Sequence, residues 1–80
     1  MEFLLDVVSV KAQKDNTLLL VFENGVERRF DMNTYLNKKP FLRLRKSSLF
    51  MAAKVGYGTV IWPGNIDIAP ETLWEKSEPV

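Results

Sequence analysis

The chain contains neither histidine nor cysteine, so its chemistry must come from carboxylates, lysines, arginines, serines and tyrosines. The usual base near neutral pH and the strongest nucleophile are therefore missing. Among the carboxylates Asp67 stands out, because Ile66 and Ile68 flank it and Trp62 lies close in sequence, surroundings that can perturb a carboxyl group. An aspartate in a short strand ahead of a helix more often bonds to local backbone N–H groups, and catalysis needs a constellation of groups. Asp67 is accordingly read as structural, no catalytic residue is assigned, and an enzyme is the most distant of three readings. The common zinc ligands are absent, no carboxylate run has the spacing of a calcium loop, and no glycine-rich phosphate loop occurs. No metal or cofactor is expected.

Binding chemistry has stronger candidates. From Arg28 to Lys54 eight basic residues stand against Asp31 alone, a local charge of +7, while the remainder carries three lysines against nine acids, or −6. Such a division marks an anion-binding centre unless the acidic ends fold back beside the basic middle and neutralise it. Within it, FLRLRK alternates like a strand, which places Arg43 and Arg45 on one side with Lys46, Lys38 and Lys39 nearby. That footprint suits phosphates or an acidic protein face. The tryptophans are the third candidate. Trp74 is expected in the core, whereas Trp62, beside a hairpin turn, is expected to be partly exposed and is grouped with Arg43, Arg45 and Lys46 as a partner-binding face.

These residues need elements to hold them. Asn24-Gly25 separates two strand-like runs and supplies the positive φ angles of a two-residue type I′ turn, predicting a hairpin of Thr17–Glu23 with Val26–Met32. Counting outward pairs Val21 with Arg28 and Leu19 with Phe30, and the first strand, apolar on both faces, should be central and covered on each side. A valine- and leucine-rich strand over Phe3–Ala12, joined through Asp15-Asn16-Thr17, completes a three-strand meander. A short helical turn should follow Asp31 or Asn33 and end before Pro40. SSLFMAAKV reads as a short helix capped by Ser47 or Ser48. In TVIWPGNIDIAPETLWE, Gly64-Asn65 is expected as a type II′ turn between two strands, with Pro70 at the first position of a C-terminal helix. Residues 77–80 should fray.

Eighty residues support one small core, here taken as a single α+β domain over residues 1–76, without disulfides and with a modest stability margin. The apolar runs are too short to span a bilayer, which needs roughly 20 residues, and Glu2 and Asp6 do not suit a secretory leader. A cytoplasmic protein without a membrane partner is expected.

VFENGVERRFDM, then KKPFLRLR, then GTVIWPGNIDIAPETLWE, in that order and in a chain of this size, resemble the small bacterial family called domain of unknown function 2442. Its members carry an F-x-N-G hairpin, a following F-D pair, a P-F step and a closing W-P-N-G-I-D-x-A-P motif. The resemblance runs from about residue 6 to 75. One departure is Pro63-Gly64-Asn65 where the family pattern has Pro-Asn-Gly. The resemblance implies an α+β domain with a small antiparallel sheet and no known catalytic residues. It also implies frequent pairing with a second small protein in arrangements that look like toxin and antitoxin pairs, and related domains that append a helix-turn-helix, for which no room is expected after residue 75. Residues and resemblance together favour a non-catalytic protein-interaction module, antitoxin-like in role. The alternative is a nucleic-acid-binding or regulatory accessory domain using residues 38–46.

Overall fold

The computed structural model describes residues 5–80. Strands β1 (Val7–Ala12), β2 (Thr17–Phe22) and β3 (Glu27–Asp31) form the antiparallel meander. The expected first strand thus starts at Val7, and Phe3 and Leu4 lie outside the described residues. A 3₁₀ helix (Phe41–Arg45) and the one-turn helix α1 (Ser47–Phe50) lead into β4 (Lys54–Gly56), β5 (Thr59–Trp62) and β6 (Ile66–Asp67). Helix α2 (Pro70–Lys76) and β7 (Glu78–Pro79) close the chain. The α+β class holds, but the strands divide into a four-stranded sheet, β1-β2-β3-β7, and a three-stranded one, β4-β5-β6. One core lies where they meet. Val7, Leu18, Leu20, Phe22 and Phe30 come from the larger sheet, Val60, Trp62 and Ile66 from the smaller, and Met32, Leu36, Leu44, Phe50, Ile68 and Leu73 from the segments around them.

The Asn24-Gly25 hairpin is present with a different turn. Gly25 N–H donates to Phe22 O at 2.8 Å and Phe22 N–H to Val26 O at 3.0 Å, enclosing three residues rather than two. Only Gly25 is left-handed (φ +83°), while Asn24 Oδ1 accepts from Val26 N–H. This is a type I turn closed by a glycine bulge. The extra loop residue shifts the pairing to Leu18 with Phe30 and Leu20 with Arg28. A one-residue slip turns every side chain of one strand to the other face. Phe30 therefore joins Leu18, Leu20 and Phe22 in the core instead of Leu19 and Val21, which are half-buried among Lys11, Glu27 and Arg29.

The tail does not fray as expected. Glu78–Pro79 pairs with Arg28 and Arg29 of β3. Arg28 Nε donates to Ser77 Oγ at 2.6 Å, a second guanidinium nitrogen donates to Ser77 O, and the guanidinium lies 5.0 Å over the Trp74 ring, which in turn meets Phe22 edge-on. These contacts join residues 49 positions apart and replace the water that a free tail would bind. Helix α2 opens at Pro70, as expected, behind Ala69. Helix α1 is preceded by Lys46 and has no side-chain cap, so neither Ser47 nor Ser48 caps it. After Asp31, whose Oδ1 accepts from Asn33 N–H at 2.8 Å, the chain makes tight turns without a regular helix. Among the described residues no helix is long and apolar enough to cross a membrane.

The turn from β1 to β2 is held by Asp15, whose Oδ1 accepts from Thr17 Oγ1 at 2.6 Å and from Thr17 N–H at 3.2 Å. The Thr17 hydroxyl, with the backbone donor behind it, keeps the Asp15 carboxyl below its ordinary pKa. Its stabilising effect is complete above the ordinary carboxylate range and is lost as pH falls through the lowered folded-state pKa. An NMR titration should find the Asp15 carboxyl titrating higher in Thr17→Val than in wild type. Arg28→Ala should lower unfolding stability in urea by about 2 kcal/mol, the range of a hydrogen bond to a charged group, and speed amide exchange at Glu78.

Candidate functional site

Pro40 precedes a segment whose period is three, not two. In a 3₁₀ helix residues i and i+3 share a side, so Phe41 and Leu44 both turn inward, while Leu42 with Arg45, and Arg43 with Lys46, point outward. The strand reading had Arg43 and Arg45 on one side. That register would have put Phe41 on the charged face as well, which is the signal against it. Arg43 is committed within the chain: its guanidinium donates to Gly64 O at 2.8 Å, and a Cβ on Gly64 would sit 2.9 Å from both terminal guanidinium nitrogens. Lys38, Lys39, Arg45 and Lys46 are exposed, with Leu42 exposed among them. Lys38 Nζ lies 5.3 Å over the Tyr35 ring.

Trp62 is not on this face. It is 3% exposed, its Nε1–H donates to Phe50 O at 3.0 Å, and its ring stacks on Phe50 and meets Phe41 edge-on. The expected surface anchor is a core residue, because the indole N–H finds its partner on α1 rather than in water.

The expected type II′ turn at Gly64-Asn65 is a three-residue loop, since Trp62 pairs with Ile66. Gly64 (φ +90°) and Asn65 (φ +61°) are both left-handed behind Pro63. Glycine and asparagine are the residues best suited to that region, so two such positions in succession take Gly-Asn or Asn-Gly with similar ease. Asp67 is exposed on β6 opposite Ile61, and the residue flanking α2 is Ala69, so Asp67 is not its cap.

Beside this loop lies an open cleft of about 430 Å³, lined by Lys54, Tyr57, Ile61, Asn65 and Asp67 among others. The sequence reading missed its most exposed member. Tyr57 and Gly58 form the two-residue turn between β4 and β5, both with positive φ (+54° and +75°), as a type I′ turn requires. Gly58 between Val55-Gly56 and Thr59-Val60 was the signal for that hairpin. Tyr57 is 97% exposed. A bulky side chain held left-handed without burial works against the fold, by about 1 kcal/mol. Tyr57→Asn should therefore raise unfolding stability by about 1 kcal/mol in chemical denaturation, since asparagine suits the first position of a type I′ turn. Among the described residues no group of three or more acidic side chains is placed to hold a metal ion.

No curated protein and no solved structure matches the chain. A family profile does, over residues 7–79, which takes in the meander, the 3₁₀ segment, both sides of the cleft and the pairing tail. The chain belongs to the family described as protein of unknown function DUF2442.

Proposed function

We propose that the chain is a non-catalytic protein-interaction module of the bacterial cytoplasm, which offers Lys38, Lys39, Arg45 and Lys46 around Leu42 to an acidic partner. One observation carries this reading. Residues 32–66 hold six basic residues and no acid, so the segment has no local means of neutralising itself, and Lys38, Lys39, Arg45 and Lys46 stand together in solvent. Like charges within a Debye length of about 8 Å repel, and an acidic partner relieves that repulsion while raising the rate of encounter.

Two features support a protein over nucleic acid. Leu42 sits exposed amid the cations, an apolar contact that a phosphate backbone has no use for. Tyr35, Phe41 and Trp62, the aromatic side chains near Lys38, Lys39, Arg45 and Lys46, are engaged with one another rather than presented for base stacking. The antitoxin-like role rests on the paired-gene arrangement that the family resemblance implies, and so remains an analogy.

The test is purification of the tagged chain from its native source with nuclease treatment, followed by binding of the recovered partner to an Arg45→Glu/Lys46→Glu variant. Both side chains are exposed, so the variant keeps the fold. An acidic partner whose affinity drops at least tenfold is the expected result, and unchanged affinity removes the cationic face. Nucleic acid recovered in place of protein, with affinity falling by roughly 0.9 logarithmic units per phosphate for each tenfold rise in salt, would favour the nucleic-acid reading.

A further inference from the structure

The smaller sheet turns one face to the core through Val60, Trp62 and Ile66. On its other face a single row crosses all three strands: Lys54 on β4 lies opposite Ile61 on β5, which lies opposite Asp67 on β6. Neighbouring strands stand about 4.8 Å apart, so the Lys54 and Asp67 backbones are about 10 Å apart with Ile61 between them. Tyr57 bounds the cleft at one end of β5 and the Pro63–Asn65 loop at the other. Ile61 leans over Gly56, where any Cβ would collide with its Cδ1, so the apolar floor sits low between the charges.

We propose that this cleft binds a short extended segment of a partner polypeptide carrying one acidic and one basic side chain, the acid toward Lys54 and the base toward Asp67. The charge arrangement selects a ligand with both signs, since a lone anion meets Asp67 and a lone cation meets Lys54. A free amino acid holds its charges too close together to reach both walls. Side chains two residues apart on an extended chain project to the same side about 7 Å apart, and their own flexible stems make up the remaining distance while covering Ile61. The cleft is open, so a chain can run through it. Tyr57 supplies an independent indication. An aromatic ring that is almost wholly exposed, on backbone that favours glycine or asparagine, serves no packing purpose. At one end of the cleft its ring face forms an apolar wall against which a bound chain can lie. Backbone strain of this kind is concentrated where ligands are held.

The cleft adds a second, sequence-reading contact to the cationic face and rests on the same reading of the chain as an interaction module. Arg43 docks at Gly64, which also lines the cleft, and the two sites use different side chains.

The experiment uses the full chain and an array of synthetic nine-residue peptides in a polar background, each with one acidic and one basic residue separated by zero to four positions, together with peptides bearing only one of the two. Wild type should retain the two-charge peptides with one intervening residue most strongly. Asp67→Asn should lose at least tenfold in affinity and the requirement for the base, and Lys54→Met should lose as much and the requirement for the acid. Tyr57→Gly should bind at least fivefold more weakly while melting at a higher temperature, which separates lost contact from lost fold. Retention of no peptide, or retention unchanged in all three variants, overturns the proposal. Binding that follows net acidic charge alone and disappears in Arg45→Glu/Lys46→Glu also overturns it, and leaves the cationic face standing.

Discussion

The indole of Trp62 is the contact on which the rest of the structure depends. It stacks on Phe50, meets Phe41 edge-on and donates its N–H to Phe50 O, tying β5 to both helical turns that precede it. Phe41 in turn meets Tyr35, and Tyr35 stacks on Phe30 of the larger sheet, so a chain of rings runs from one sheet to the other. The segment between the sheets has no acid with which to pair its cations. Apolar contact must hold it, and each fully buried large side chain contributes roughly 1.5–3 kcal/mol against at most about 1 for an exposed ion pair. The 3₁₀ period follows from that demand, because it is the geometry that turns Phe41 and Leu44 inward together.

With the middle of the chain anchored through rings, charge is left free to face solvent. Arg45, Lys46 and Lys39 stand in solvent and Lys38 reaches over the Tyr35 ring, whereas Arg43 braces the Pro63–Asn65 loop and Arg28 clasps the tail. Arginine serves both bracing positions, as its planar fork can donate to a carbonyl or hydroxyl while lying flat against a ring or a glycine. The sequence reading treated the basic residues as one population. The fold divides them: Arg28 and Arg43 hold the chain together, Lys38, Lys39, Arg45 and Lys46 form the cationic face, and Arg29 and Lys54 stand exposed on the two sheets.

The hairpin loops show how turn chemistry relates to use. Asn24-Gly25 and Pro63-Gly64-Asn65 place glycine or asparagine wherever the backbone is left-handed, and neither loop is strained. Tyr57 breaks that rule in the other loop that borders the cleft. Local consistency broken at a single exposed residue of the cleft is the pattern expected when a residue is retained for contact rather than for stability.

The sequence by itself determined the α+β class, the three-strand meander, the helix opening at Pro70, the family and the division of charge, because each depends on neighbours within a few positions or on a plain count of residues. Tertiary structure alone decided the hairpin register, the 3₁₀ turn, the burial of Trp62, the pairing of Glu78–Pro79 and the cleft. The register turns on whether two or three residues lie in the loop, and Asn-Gly serves both until Phe30 must choose a face. The burial of Trp62 depends on a carbonyl on α1, the tail on an arginine 49 residues away, and the cleft on three strands bringing Lys54, Ile61 and Asp67 into one row. Local pattern specifies the kind of element, but which faces meet is set by contacts between residues that only the folded chain brings together.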